Sequence, residues 1–93
     1  MATFKKADQE ILIYGFNWAD WLSTGDTLQS STWVVPAGLT NEGEQVSSDT
    51  TTIKIGGGTI GETYEVVNEI TTTTTDETSE RTFKVRVISD KYK

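Results

Sequence analysis

The chain is 93 residues long, with fourteen acids against eight bases, a net charge of −6, and neither cysteine nor histidine. That length holds one small domain and excludes two independent cores or a cleft between lobes. The absent thiols and imidazoles exclude disulfides, thiolate chemistry and the commonest general base and metal ligand, and the acidic balance argues against generic nucleic-acid binding.

Residues 1–9 are polar apart from Phe4 and read as a flexible N-terminal arm, leaving residues 10–93 as the folded domain. Met1 to Lys6 is charged but leads into no apolar segment, so no secretory signal is expected. Ile11, Leu12, Ile13, Tyr14, Phe16, Trp18, Trp21 and Leu22 then crowd together. Gly15 and the missing charged face disfavour a long helix there. The spacing predicts a strand running into one helical turn at Trp18–Leu22, with Asn17 as its N-cap. Thr24-Gly25-Asp26 is a turn signal, and Thr27 to Val35 reads as a strand ending at Pro36. Neither face of that strand is cleanly apolar, which predicts a bulge midway.

Asn41 to Asp49 is a weak strand or loop with Val46 as its one clear anchor. Thr51-Thr52-Ile53-Lys54-Ile55 alternates, with Ile53 and Ile55 inward. Glu62 to Thr72 and Thr78 to Ser89 form the clearest pair. Tyr64, Val66, Asn68 and Ile70 share one face of the first, and Phe83, Val85, Val87 and Ser89 one face of the second. A hairpin centred on Asp76-Glu77 sets Ile70 against Phe83, Asn68 against Val85, Val66 against Val87 and Glu69 against Lys84. Asn68 on an inner face needs partners, at the exposed strand end or on the neighbouring sheet's backbone.

About seven short strands with turn signals every ~8–12 residues predict an all-β fold, an immunoglobulin-like β-sandwich. Seventeen threonines against four alanines and four leucines agree with it. Tyr64, just after a glycine corner, sits where such sandwiches carry a tyrosine corner, so its hydroxyl is expected to bond backbone near Ile60 or Gly61. Trp33 is expected to fill the centre. No apolar run reaches the ~18 residues of a membrane-spanning helix.

Catalytic chemistry has few carriers here. The carboxylates of Glu42 with Glu44, and of Asp76 and Glu77 with Glu80, fall in turns and strand ends and read as solvated. Gly56-Gly57-Gly58 lacks the lysine and helix of a phosphate loop. The Thr71–Thr75 run reads as β-branched filler on an exposed hairpin end. No catalytic, cofactor-binding or metal-binding residue is expected, and the chain is read as no enzyme. The aromatic belt is different, because tryptophan is enriched at binding hot spots. Tyr14, Trp18, Trp21, Asp76 and Glu77 are the candidate partner-binding residues, and open strand edges offer a second route to a partner.

The segment Ile13-Tyr14-Gly15-Phe16-Asn17-Trp18-Ala19-Asp20-Trp21-Leu22 is followed by Gly25-Asp26-Thr27-Leu28. Ser30-Ser31-Thr32-Trp33-Val34-Val35-Pro36-Ala37-Gly38-Leu39 comes next. Later come Ile55-Gly56-Gly57-Gly58-Thr59-Ile60-Gly61-Glu62-Thr63-Tyr64 and Lys84-Val85-Arg86-Val87. Together these resemble small tailed-bacteriophage fibre–tail adaptor proteins, which are immunoglobulin-like virion components. Asn17 stands where that family more often has Asp. The resemblance implies a structural protein of the virion tail or neck, assembled in the bacterial host cytoplasm. It would be present in several copies and would link tail or neck proteins to fibres, with no nucleic-acid or membrane partner and no cofactor. A carbohydrate-binding or capsid-decorating immunoglobulin-like module is the alternative.

Overall fold

Alternating β-branched and aromatic residues favour extended chain, and the computed structural model, which describes residues 2–90, is built from strands joined by turns. In chain order these are β1 (Thr3–Ala7), β2 (Leu12–Asn17), β3 (Leu28–Val34), β4 (Leu39–Val46), β5 (Thr50–Gly57), β6 (Thr63–Thr72) and β7 (Thr78–Ile88). They form a four-stranded sheet, β1-β7-β6-β3, and a three-stranded sheet, β2-β5-β4. Every pairing is antiparallel except β1 with β7. The orders β2-β5-β4 and β3-β6-β7 are those of an immunoglobulin-like sandwich, with β1 added beside the last strand.

The inner faces supply the core. Trp33, Leu39, Ile53, Ile55, Val66, Phe83, Val85 and Val87 form its centre, and Trp18, Leu28 and Ile70 form a second cluster. Phe16 packs against both. Leu28 and Trp33 are both buried although they lie five residues apart on one strand. A regular strand would put them on opposite faces; the register shift between Leu28 and Ser30 reconciles them, a bulge that lies at the start of the strand and not midway along it as expected. Trp33 lies on β3, the position of the buried tryptophan of this fold, and stacks on Phe16 with ring centroids 6.0 Å apart. The Tyr64 hydroxyl accepts a 3.0 Å hydrogen bond from the Thr59 N–H, one residue upstream of the expected partner. It also lies against Gly38, where an added Cβ would come within 2.9 Å of it.

Asn68 is fully buried and fully bonded. Its Oδ1 accepts from Thr51 Oγ1 at 2.7 Å and Trp18 Nε1 at 3.2 Å, and its Nδ2 donates to Ser31 Oγ at 2.9 Å and the Thr32 carbonyl at 3.2 Å. The amide thus joins both sheets, mostly through side chains.

Three expectations are corrected. The stretch read as a flexible arm contains β1, which pairs in parallel with β7 and buries Lys6 and Ala7. Lys6 Nζ donates to the carbonyls of Ala7 at 2.9 Å and Gly57 at 2.6 Å, so the charge that marks a solvated segment is satisfied inside the fold. The β6–β7 hairpin sets Val66 against Phe83 and Tyr64 against Val85, four residues from the expected register. The shift is even, so the apolar faces survive it. The expected Glu69–Lys84 pair does not: Glu69 faces Glu80, and Lys84 faces Glu65 instead. Val46 anchors nothing, being 48% exposed on an edge strand. On β2 it is Leu12, Tyr14 and Phe16 that turn inward, leaving Ile11 and Ile13 on the surface.

Candidate partner-binding surface

One end of the sandwich is made by the β2–β3 loop, the β4–β5 turn and the tip of the β6–β7 hairpin. The loop opens with the expected helical turn. Asn17 Oδ1 accepts from the Ala19 N–H at 2.9 Å, and the Trp21 and Leu22 N–H groups donate to the Trp18 carbonyl. The Trp18 N–H donates to the Asp49 carbonyl at 2.7 Å, which fixes the loop to the β4–β5 turn.

This turn separates the two tryptophans. Trp18 has no exposed surface. Arg81 lies 4.1 Å over its ring and donates to the Asn17 carbonyl at 3.0 Å. Trp18 is therefore a core residue, not a partner contact. Trp21 packs edge-on against Trp18, with centroids 5.4 Å apart, and stays 37% exposed. Asp76 and Glu77 are exposed at the hairpin tip. Asp76 has a φ of 54°, a left-handed conformation that Asp tolerates better than most residues.

Asp26 fastens this end together. Its carboxylate accepts from the N–H groups of Thr27 (2.9 Å), Thr74 (2.8 Å) and Thr75 (3.3 Å), and from Thr75 Oγ1 (2.6 Å). These bonds, the Thr75 hydroxyl first, hold its pKa well below the usual carboxylate range. They also draw Thr74 and Thr75 out of strand pairing, which accounts for the displaced hairpin register. The threonine run is therefore not filler: it supplies the donors. Thr-Gly-Asp reads as an ordinary turn, and only the unusual density of hydroxyls at the tip hints at a carboxylate partner.

Tyr14 belongs elsewhere. Its ring lies 5.3 Å from that of Phe4 and 5.1 Å from that of Phe83, midway along β2. Burial, then the charge of Glu10, raises its pKa. Its hydroxyl is buried without a hydrogen-bond partner among the described residues. Of the five candidates, Trp21, Asp76 and Glu77 thus share one exposed end, Trp18 lies beneath it, and Tyr14 is on a side.

Among the described residues no three or more acidic side chains gather as a candidate metal site, and a depression of about 310 Å³ lies over the three-stranded sheet beside Ile13 and Lys54. The family described as podophage GP4 fiber-tail adaptor protein gp77 matches residues 6–86. The chain belongs to this family. No curated relative matches it. The matched span begins inside β1 and runs to Arg86 in β7, so it takes in both sheets. The family is a structural one, a phage tail adaptor, and the domain is a bacteriophage tail protein with a β-sandwich fold.

Proposed function

We propose that the domain is a stiff virion spacer that joins tail or neck proteins to tail fibres through surface contacts and transforms no substrate. The observation that carries this reading is the family match across both sheets, together with the shape. The Cα trace measures 46 × 19 × 16 Å with a radius of gyration of 14.3 Å, against roughly 12 Å for an average globular chain of this length. An elongated sandwich presents two distant ends and a bonded scaffold between them. Trp21, Asp76 and Glu77 at the fastened end are the contacts with one neighbour.

The test is a bridging assay. Purified chain is mixed with fibreless tails and with fibre protein, and three-component complexes are isolated by sedimentation. Trp21→Ser combined with Asp76→Asn and Glu77→Gln is expected to abolish one of the two attachments, with circular dichroism checking that the variant stays folded. A chain found only on the capsid shell, or a parent that binds neither component, would overturn the reading. Sugar binding lost in Trp21→Ala would support the accessory-module alternative.

A further inference from the structure

The outer face of the three-stranded sheet carries the two most exposed of the large apolar side chains, Ile11 (56%) and Ile13 (67%). They alternate with the inward-facing Leu12 and Tyr14, so both stand on one face of one strand. Single exposed apolar residues are ordinary, whereas neighbouring ones with a polar rim mark a docking surface.

The strands beside them form a recess. Ile13 lies opposite Lys54 on the central strand β5, and Lys54 lies opposite Gly43 on β4. Next along β5 on the same face is Gly56, which has no side chain to raise the floor. The position its Cβ would take is 2.9 Å from Glu42 Oε2 and 3.3 Å from Ile11 Cγ1, so the Glu42 side chain reaches across the glycine toward the isoleucine. The depression of about 310 Å³ therefore has Ile13 on its β2 side and Glu42 and Glu44 on its β4 side, with Lys54 between them. Glu44 is held in place by Asn41 Nδ2, which donates to its Oε2 at 2.8 Å. Among the described residues the side chains of Glu42 and Lys54 make no hydrogen bond or ion pair, so neither carboxylate is neutralised by the lysine.

We propose that this recess receives a single arginine side chain from an extended, otherwise apolar segment of one of the tail or fibre partners. Arginine has an apolar stem that covers Ile11 and Ile13 and a planar guanidinium that pairs with a carboxylate through two parallel bonds. The two carboxylates select a basic guest, and Lys54 in the same recess selects against a run of bases. Phosphate-bearing partners meet two acids here and are disfavoured. The recess lies on a broad face, several residues along β2 from the fastened end that carries Trp21, so it assigns the second of the two attachments. It rests on the adaptor reading for the identity of the partners.

The bridging assay tests it with a second set of variants, all at exposed positions and checked for folding by circular dichroism. Ile13→Ser combined with Glu42→Gln and Glu44→Gln is expected to abolish the attachment that the Trp21→Ser, Asp76→Asn, Glu77→Gln variant retains. Taken singly, Glu42→Gln weakens that attachment by about tenfold at low salt and reduces its salt dependence. Ile13→Ser weakens it and leaves the salt dependence unchanged. Lys54→Gln leaves it unchanged or tightens it. Weakening by Lys54→Gln with none from Glu42→Gln would mean an acidic guest and would overturn the proposal. So would a combined variant that bridges as the parent does, or one that loses the same attachment as the Trp21 set. Sedimentation of the chain alone covers the remaining occupant: self-association that disappears in the combined variant while both attachments persist would place a second copy in the recess and overturn the proposal as well. In each of these outcomes the parent still bridges and the adaptor reading stands; a parent that binds neither component overturns both.

Discussion

At the scale of single residues, two polar groups do what apolar packing cannot. Asn68 uses all four of its hydrogen-bonding positions inside the fold. Removing a buried partner costs about 1–3 kcal/mol for each group left unsatisfied, so Asn68→Ala is expected to lose about 2–4 kcal/mol in a urea titration. Asn68→Asp is expected to be at least as harmful at neutral pH, because a carboxylate would face the Thr32 carbonyl, and to recover in part as acid protonates it. Asp26 acts with the opposite sign. Its pKa is depressed in the folded chain, so its contribution is fully present above the unfolded value of about 4 and is lost as pH falls through the lower folded value. The stability gap between the parent and Asp26→Asn is therefore expected to be widest at neutral pH and to close in acid. A gap that is constant down to the acid limit would mean that the carboxylate charge is not what holds Thr74 and Thr75.

At the scale of elements, alternation decides what a strand tolerates. On β7, Val85 has no exposed surface and its neighbour Lys84 faces outward opposite Glu65. Val85→Asp buries an unpaired charge, which costs about 3–5 kcal/mol against a total stability of about 5–15 kcal/mol for a domain. Its melting midpoint is expected to collapse, whereas Lys84→Ala changes stability by less than ~1 kcal/mol. The faces of β5, β6 and β7 were legible because Ile53, Val66 and Phe83 alternate with polar residues. Register was not, because an even slip preserves every face and the displacement comes from Asp26, a residue nearly fifty positions away in the chain. The strand β1 was invisible for a related reason: Lys5-Lys6 looks like solvated chain, and the sequence does not show that Lys6 is buried with the carbonyls of Ala7 and Gly57 among its acceptors. Lys6→Ala leaves the Gly57 carbonyl without that donor and is expected to lose about 2–4 kcal/mol by chemical denaturation. A loss near zero would return β1 to the status of a dispensable arm.

At the scale of the whole molecule, the proposed spacer role needs the two ends of the sandwich to be one mechanical unit. The exposed end was partly legible, since Trp21, Asp76 and Glu77 do lie on it. Burial of Trp18 was not, because the sequence cannot show that Arg81 covers its ring while Asn68 binds its indole nitrogen. That same burial couples the end to the centre. Phe16 lies 6.2 Å from the Trp18 ring and 6.0 Å from the Trp33 ring, so one side chain belongs to both apolar clusters. Trp33 is paired across the sheet with Asn68, which in turn holds Trp18. Opening the Trp18 cluster alone would strip Phe16 of its contact with Trp18 and leave the Asn68 Oδ1 without its indole donor inside the remaining core, which makes partial opening unfavourable. Unfolding is therefore expected to be all-or-none: tryptophan fluorescence and far-ultraviolet circular dichroism should give superimposable denaturation curves. Native-state hydrogen exchange is the sharper check. The indole N–H of Trp18 should exchange with the same opening free energy as the amides of Val66 and Val85 at the sandwich centre. An indole that exchanges several-fold faster would show that the end opens by itself, and the proposed rigid spacer would then contain a hinge.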